Sequence, residues 1–304
     1  MDVRHLDLLR ELADRGSITA VAEATHRTVS AVSQQLKAAQ RQAGMALVEH
    51  QGRGLRLTDA GRVLAEAGAE VGTAIAAAQA RWDAFRAHPT GTVGLAMLPS
   101  AAAVLLPRTL RAAHAEGIEV VCHDADIAEA QFAELTLDHD VVVAHSLSGP
   151  RPAGTEGLTV VPLAREPIDV AVAADHPLAA AETVTAAQAA AYPWYGVPRD
   201  YPFDTVLQEI ARAAGAELQI LQRLRDNRLM EALVADGSGL ALLPRFTSPM
   251  TATTTLRPLA DVDARRHISA IMRPDRAERL AVRRVIEALH DAGAEAEGRH
   301  GDGA

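Results

Sequence analysis

The sequence predicts an α/β protein in three successive parts: a helix-turn-helix followed by a hairpin, one long helix, and a larger α/β part. Three observations carry this. Ser17 to Gln42, SITAVAEATHRTVSAVSQQLKAAQRQ, reads as two short helices either side of a tight turn. Leu64 to Phe85 repeats apolar or small residues at 4-3 spacing on a single helical pattern, and from Thr92 short apolar runs alternate with helices. With 304 residues, 48% of them hydrophobic, the chain has material for about two domains.

Composition narrows the partners. The net charge of −9 excludes a generally basic coat, so any contact with nucleic acid must be local. Met1 to Ala60 carries eight Lys/Arg against seven Asp/Glu, which has the sign a local contact needs. Cys122 is the only cysteine, which excludes an internal disulfide or a cysteine-based zinc site; within the apolar run Ile118 to Cys122 it reads as a buried structural thiol. MDVRHLDLL is not a signal peptide, and no run of about 18 apolar residues occurs, so a cytoplasmic protein without membrane contact is expected. Lys37 is the sole lysine.

Val3 to Arg15 is a first helix with Val3, Leu6, Leu9, Leu12 and Ala13 on one face, stopped by Gly16. In the next, Ile18, Val21, Ala22 and Ala24 face inward and Glu23 faces water. After the break at Thr25, His26 and Arg27, the Thr28 hydroxyl can cap the second helix of the pair. That helix buries Val32, Leu36 and Ala39 and leaves Thr28, Val29, Ser30, Ser33, Gln34 and Lys37 outward. Periodicity alone fits an amphipathic helical hairpin equally well. The outward face favours DNA: no acidic residue occurs from Thr28 to Gln42, and small polar groups can reach base edges.

Leu47 to His50 and Leu55 to Thr58, joined by Gln51, Gly52, Arg53 and Gly54, form a hairpin in which Leu55 and Leu57 point one way and Arg56 the other. Arg53 at the tip, with Arg56, suits a DNA backbone or minor groove; a solvated turn is the plainer reading. Thr58 can cap a helix from Asp59 to about Ala87. Leu64, Gly68, Val71, Ile75, Ala78, Trp82 and Phe85 form its seam, which fits pairing with a second copy in a coiled coil or packing on the chain's own second domain. Dimerisation is favoured, because a two-fold DNA reader needs paired helices. Pro89, Thr90 and Gly91 end the helix and mark a hinge.

The remainder predicts a parallel α/β sheet. Strands are expected at Thr92 to Leu98, Ile118 to Cys122, Asp140 to His145, Ile168 to Ala173, Trp194 to Val197, Leu218 to Leu224, Leu240 to Pro244 and His267 to Met272. Helices are expected at Ala101 to Ala115, Glu129 to Leu137, Thr185 to Ala191, Phe203 to Ala214, Arg228 to Ala235 and Ala277 to Ala292.

From residue 1 to about 292 the chain resembles the LysR-type transcriptional regulators. GSITAVAEATHRTVSAVSQQLKAAQRQAGMALVEHQGRGLRLTDAG is similar to that family's winged helix-turn-helix, and TVGLAMLPSAAAVLLP, LDHDVVVAHSL, ADHPLAAAETVT and ALVADGSGLALLPR are similar to strand-helix junctions of its effector domain. The resemblance implies a DNA-binding domain at 1–58, a linker and dimerisation helix at 59–90, and a periplasmic-binding-protein-like effector domain at 91–292. Subdomain I would take 91–162 and 267–292, subdomain II 163–266, with crossovers near Pro162 and His267 and a disordered tail at 293–304. It further implies a homodimer or homotetramer on interrupted dyad sites in double-stranded promoter DNA, with a small-molecule effector, often a carboxylate, between the subdomains. The family often has glutamine then proline where Val29 and Ser30 stand, and arginine where Gln34 stands, so a different target sequence is expected.

For the effector, the Ser100 hydroxyl with the amides of Ala101 and Ala102 makes an anion site at a helix start. Opposite it are expected Asp126, Ile127, His145 and the loop from Pro198 through Arg199 to Phe203. Plainer readings stand beside these: Ser100 as an N-cap, His145 as a surface histidine at a strand end, and Arg199 as a solvated charge. No GxSxG, HExxH, Walker or GxGxxG motif occurs, so no enzyme, cofactor or metal is expected. A solute-binding protein without a DNA role would explain Thr92 to Ala292 but not Met1 to Ala87.

Overall fold

The computed structural model describes residues 1–51, 54–86, 91–199, 201–248 and 251–301. Two compact units emerge, Met1–Pro89 with Arg273–Arg283, and Thr90–Met272 with Arg284–Ala304.

In the first unit, α1 (Val3–Arg15), α2 (Ile18–Ala24) and α3 (Val29–Ala43) precede the antiparallel hairpin β1 (Val48–Gln51) and β2 (Gly54–Leu57), then α4 (Asp59–Phe85). Ser17 and Thr28 cap α2 and α3, accepting from the amides of Ala20 and Ala31. One core unites Leu8, Leu9, Leu12, Val21, Ala22, Val32, Leu36, Ala39, Leu47, Leu57 and Ala65. The expected inward stripe of α1 needs correction: Leu8 is buried, whereas Val3 and Ala13 are exposed. Helix α1 packs against α2, α3 and α4, and three neighbours call for a wider apolar arc centred on Leu8, Leu9 and Leu12. Ala24, at the end of α2, is likewise exposed. Helix α9 (Pro274–Glu278) packs on α4, and its flank is tied to α1 by ion pairs from Arg10 to Asp275 at 2.8 Å and from Arg273 to Asp14 at 2.9 Å.

Thr58 caps α4 by accepting from the Gly61 amide, and its own hydroxyl donates to the Ala46 carbonyl. The first half of α4 packs inside the unit through glycines. A Cβ on Gly61 would stand 2.1 Å from the Leu47 carbonyl oxygen, and one on Gly68 2.7 Å from that of Leu6.

The second unit is built on β3 (Gly91–Met97), β4 (Ile118–Asp124), β5 (Val141–Ser146), β6 (Thr159–Ala173), β7 (Trp194–Gly196), β8 (Ile220–Arg223), β9 (Leu240–Pro244), β10 (Thr254–Arg257) and β11 (Arg265–Met272). Among the described residues the order is β4-β3-β5-β11-β6-β9-β7-β8, with β10 also on β6. The sheet is mixed, which corrects the parallel expectation: β3, β4 and β5 are parallel, as are β7, β8 and β9, but β5, β6, β9, β10 and β11 meet in antiparallel pairs. The 15-residue β6 causes this, pairing with β11 over its first half and with β9 and β10 over its second.

Around the sheet lie α5 (Pro99–Ala115), α6 (Ala186–Ala190), α7 (Pro202–Ala214), α8 (Asn227–Ala235) and α10 (Leu280–Gly301). Glu129 to Leu137 forms two short 3-10 turns rather than a helix, and β10 had no counterpart in the sequence reading. The expected helix Ala277 to Ala292 is split at Arg279, which adopts an extended conformation. The residues expected as a disordered tail instead continue α10 to Gly301. They have partners: a Gly293 Cβ would lie 2.1 Å from the Leu163 carbonyl oxygen, Ala296 is buried, and Glu297 accepts from the Arg165 amide. Cys122 is half-buried on the edge strand β4, not fully buried, because its other flank has no strand among the described residues. Among those residues no helix is long and apolar enough to cross a membrane.

Two glycines of α4 give opposite expectations. Gly61→Ala should destabilise the protein by about 1–3 kcal/mol, because backbone must move to admit the methyl. Gly72→Ala meets only the Arg10 Nη1 at 3.5 Å and should gain up to about 1 kcal/mol from helix propensity. Denaturant melts of the two variants check this; equal effects would mean that the first half of α4 does not pack as described.

Candidate nucleic-acid interface and ligand cleft

Helix α3 presents the predicted face. Thr28, Val29, Ser30, Gln34 and Lys37 are exposed and Ser33 is half-buried, while Val32, Leu36 and Ala39 fix the opposite side in the core. The helix is anchored at both ends. The Arg27 amide donates to the Ala22 carbonyl at 2.8 Å ahead of the Thr28 cap, and the Gln40 side chain accepts from the Leu47 amide at 3.0 Å. Arg27 and Arg41, both exposed at its ends, add positive charge beyond the predicted face. The signal was present in a basic residue at each edge of an acid-free segment. Arg56 is exposed but donates to Glu49 directly across the hairpin, at 3.0 Å from Nε and 2.6 Å from Nη2, so much of its charge is already answered. Arg53 lies outside the described residues.

The 4-3 seam of α4 divides in two. Gly68 is buried against α1, and Leu64 and Val71 are half-buried, so this half faces the chain's own core. Beyond it Ile75 is 52% exposed, Trp82 54% and Phe85 82%, with Ala78 exposed between them, and the two aromatic rings stack at 5.8 Å. Ala87, Pro89 and Thr90, the expected helix end and hinge, lie outside the described residues.

In the second unit a cleft of about 910 Å³ gathers Ser100, Asp126, Ile127, His145 and Phe203 on one wall system. Ala101 is buried behind that wall and Ala102 does not line it; Ala103 does. Ser100 is not the N-cap of α5: Leu98 holds that position, Pro99 follows, and the Ser100 hydroxyl accepts from Arg266 Nη1 at 2.9 Å. Its proton therefore remains available to a ligand. Arg266 is buried and donates from Nε to the buried Glu166 at 2.7 Å. Pro198 and the exposed Arg199 stand outside the cleft, and the loop contributes Val197, Tyr201 and Phe203 instead.

His145 is 8% exposed, which corrects the surface reading, and its ring is held edge-on between Phe132 at 5.7 Å and Phe203 at 6.3 Å. Its Nδ1 has no hydrogen-bond partner. Burial, reinforced by the Arg266 charge, pushes the imidazole down to about 3, so the ring is neutral. Burial also raises the Asp126 carboxyl, against the pull of Arg225. Arg225, Asp226, Arg228, Glu231, Asp124 and Arg266 complete the charged lining. None was foreseen, because each reads locally as an ordinary surface charge: Asp124, Arg225, Asp226 and Arg228 do stay exposed, Glu231 is half-buried, and only Arg266 is drawn inward, by Glu166. Among the described residues no group of His, Cys, Asp or Glu is arranged to hold a metal ion.

The buried histidine makes stability acid-sensitive. In the unfolded chain it takes a proton below about 6.5, in the fold only near 3, so its contribution is present above the ordinary histidine range and lost as pH falls through that window. The loss is about 1.4 kcal/mol per pH unit until it levels near pH 3. His145→Gln should flatten the stability-pH curve between pH 6 and 4; an unchanged slope would show that the ring titrates normally.

Residues 3–62 match the model for bacterial regulatory helix-turn-helix proteins of the lysR family, and residues 86–294 match the LysR substrate binding domain. A hydrogen peroxide-inducible genes activator of Escherichia coli is 24% identical over 296 residues, 95% of each chain. The transcriptional dual regulator GltC of Bacillus subtilis is 27% identical over 252 residues, covering 81% of this chain and 82% of its own. Among solved structures, a full-length OxyR from Pseudomonas aeruginosa superposes with a TM-score of 0.64 at 17% identity, covering 96% of this chain and 94% of its own.

Proposed function

Because the chain belongs to the lysR family of bacterial regulatory proteins, we propose that α3 reads promoter DNA and that a ligand in the cleft modulates this reading. The chain is a DNA-binding transcriptional regulator with an effector-binding domain. The observation that carries the residue assignment is the acid-free outward face of Thr28, Val29, Ser30, Gln34 and Lys37, exposed, with Ser33 half-buried among them, on a helix capped and buried on its other side. Hydroxyls and the amide suit base edges, Val29 suits a thymine methyl, and Lys37 with Arg27 and Arg41 suits phosphates. Arg56 supports the backbone contact once it leaves Glu49, and Arg53 would join it.

The exposed half-seam of Ile75, Ala78, Trp82 and Phe85 pairs with the same face of a second copy, since large apolar side chains at 4-3 spacing stay exposed only when a partner covers them. The dimer sets two α3 helices on a dyad, and further pairing gives a tetramer. Ser100, the start of α5 and Arg266 suit the carboxylate of an effector. Membership of a family of transcriptional regulators supports a non-enzymatic role, and the cytoplasm is where promoter DNA is met.

The Escherichia coli relative is named an activator of hydrogen peroxide-inducible genes, and a thiol-based response to peroxide is not supported in this chain. Cys122 is the sole cysteine, and burial together with Asp124 raises its thiol pKa, which opposes the thiolate that oxidation needs.

Two outcomes test the reading. Ser33→Ala with Gln34→Ala should weaken binding to genomic duplexes captured by the protein at least tenfold while leaving the oligomer intact; unchanged affinity would remove both from the interface. Ile75→Asp should give monomers by light scattering, and a persistent dimer would mean that another surface holds the copies together.

A further inference from the structure

We propose that the cleft is built for a zwitterion of the amino-acid class, with an ammonium-binding wall of Asp124, Asp126, Asp226 and Glu231 facing the carboxylate pole at Ser100 and Arg266. The proposal rests on the cleft being the effector site and adds the chemistry of what enters it. Four carboxylates and three arginines line the cavity. The charge of Arg266 is balanced by Glu166, outside the lining, which accepts from Nε at 2.7 Å, while the buried Nη2, though 2.5 Å from the same carboxylate, makes no hydrogen bond and is left as a donor for a ligand acceptor. That leaves Arg225 and Arg228 to answer four acids. Arg225 lies over the Tyr201 ring at 5.0 Å, while Asp226 uses an oxygen to accept from the Arg228 amide at 2.8 Å. The wall thus carries surplus negative charge on side chains that keep contact with solvent, with partial burial felt at Asp126. There a simple anion is repelled and a cation is favoured.

An independent observation places a ligand's polar group in the same cavity. His145 lines the cavity with 8% exposure and an unpartnered Nδ1, and its ring is neutral. A neutral imidazole has one bare nitrogen and one N–H, so Nδ1 can accept from a ligand ammonium in one tautomer or donate to a ligand oxygen in the other. Buried polar atoms in native folds have partners, so a missing one marks the place of a ligand group. A ligand ammonium also relieves the Asp126–Asp226 repulsion that, after burial, raises the Asp126 carboxyl. The opposite pole is of the other sign: the Ser100 hydroxyl, already accepting from Arg266, has its proton free for an acceptor at the start of a 17-residue helix.

The test uses the full chain and pairs of probes that differ only in the amine: L-lysine, L-ornithine, L-arginine, L-glutamate and L-leucine, each beside its deaminated acid, by calorimetry and thermal melting. Lysine, ornithine and arginine against leucine and glutamate distinguish a side-chain cation from the α-ammonium as the recognised group. At least one amine-bearing probe should bind tenfold or more tightly than its deaminated partner. Asp126→Asn with Glu231→Gln should bring that ratio close to one without weakening the deaminated acid. Equal or tighter binding of the deaminated acids, no binding by any amine-bearing probe, or a ratio untouched by the double variant would overturn the ammonium wall. Ser100→Ala separates the two levels. If it weakens the deaminated acids that bind, the cleft stands as effector site and only the wall falls; if it moves no affinity of any bound probe, the cleft reading fails with it.

Discussion

The pairing of Glu166 with Arg266 is the constraint on which the second unit depends. The two residues stand directly opposite each other on β6 and β11, the long antiparallel strands at the centre of the sheet. Both are buried, so each would cost several kcal/mol alone, and removing either partner should destabilise by about 3–5 kcal/mol. The pair is also a junction. Glu166 accepts from the Phe246 amide at 2.7 Å beyond the end of β9, while Arg266 reaches Ser100 at the start of α5. One chain of polar contacts therefore runs from one half of the sheet to the other through the floor of the cleft. Asp169, three residues further along β6, repeats the device with a bidentate Arg245 at 2.6 and 2.7 Å. Strand β6 passes through both halves because its buried carboxylates are answered on both.

The first unit uses a different solution to a similar demand. Helix α4 approaches the Leu47 and Leu6 carbonyls so closely that only glycine fits at positions 61 and 68. That spends the first half of its apolar stripe on the unit's own core and leaves the second half, with Ile75, Trp82 and Phe85, uncovered. Two functions are thus stacked along one helix. The same economy places α3 with its apolar side locked and its polar side free.

Much of this was legible in the sequence wherever a local rule decided the outcome. Thr28 and Thr58 cap the helices they were expected to cap, and Val32, Leu36 and Ala39 are buried as their spacing requires. Ser100, Asp126, Ile127, His145 and Phe203 meet in one cleft because strand ends and helix starts converge there. What failed was decided at long range. Leu8 faces inward because three helices, not one, surround α1. The helix through Gly301 survives because Leu163 and Arg165 lie against it, and no local signal in a polar, glycine-containing tail announces that. Arg266 looks like a surface charge until Glu166, a hundred residues earlier, is placed beside it, and Arg199 seemed better placed than it is because a loop can turn outward without changing composition.

The regulator reading meets its hardest test in a selection of duplexes by the intact chain from a randomised DNA library, repeated at two salt concentrations. A dimeric reader using α3 should enrich an interrupted dyad with half-sites about one helical turn, or a multiple of it, apart. Its affinity should also fall steeply with salt. Recovery of unenriched sequence, or of a single unpaired site with little salt dependence, would contradict the assignment of α3 and of the paired α4 helices together.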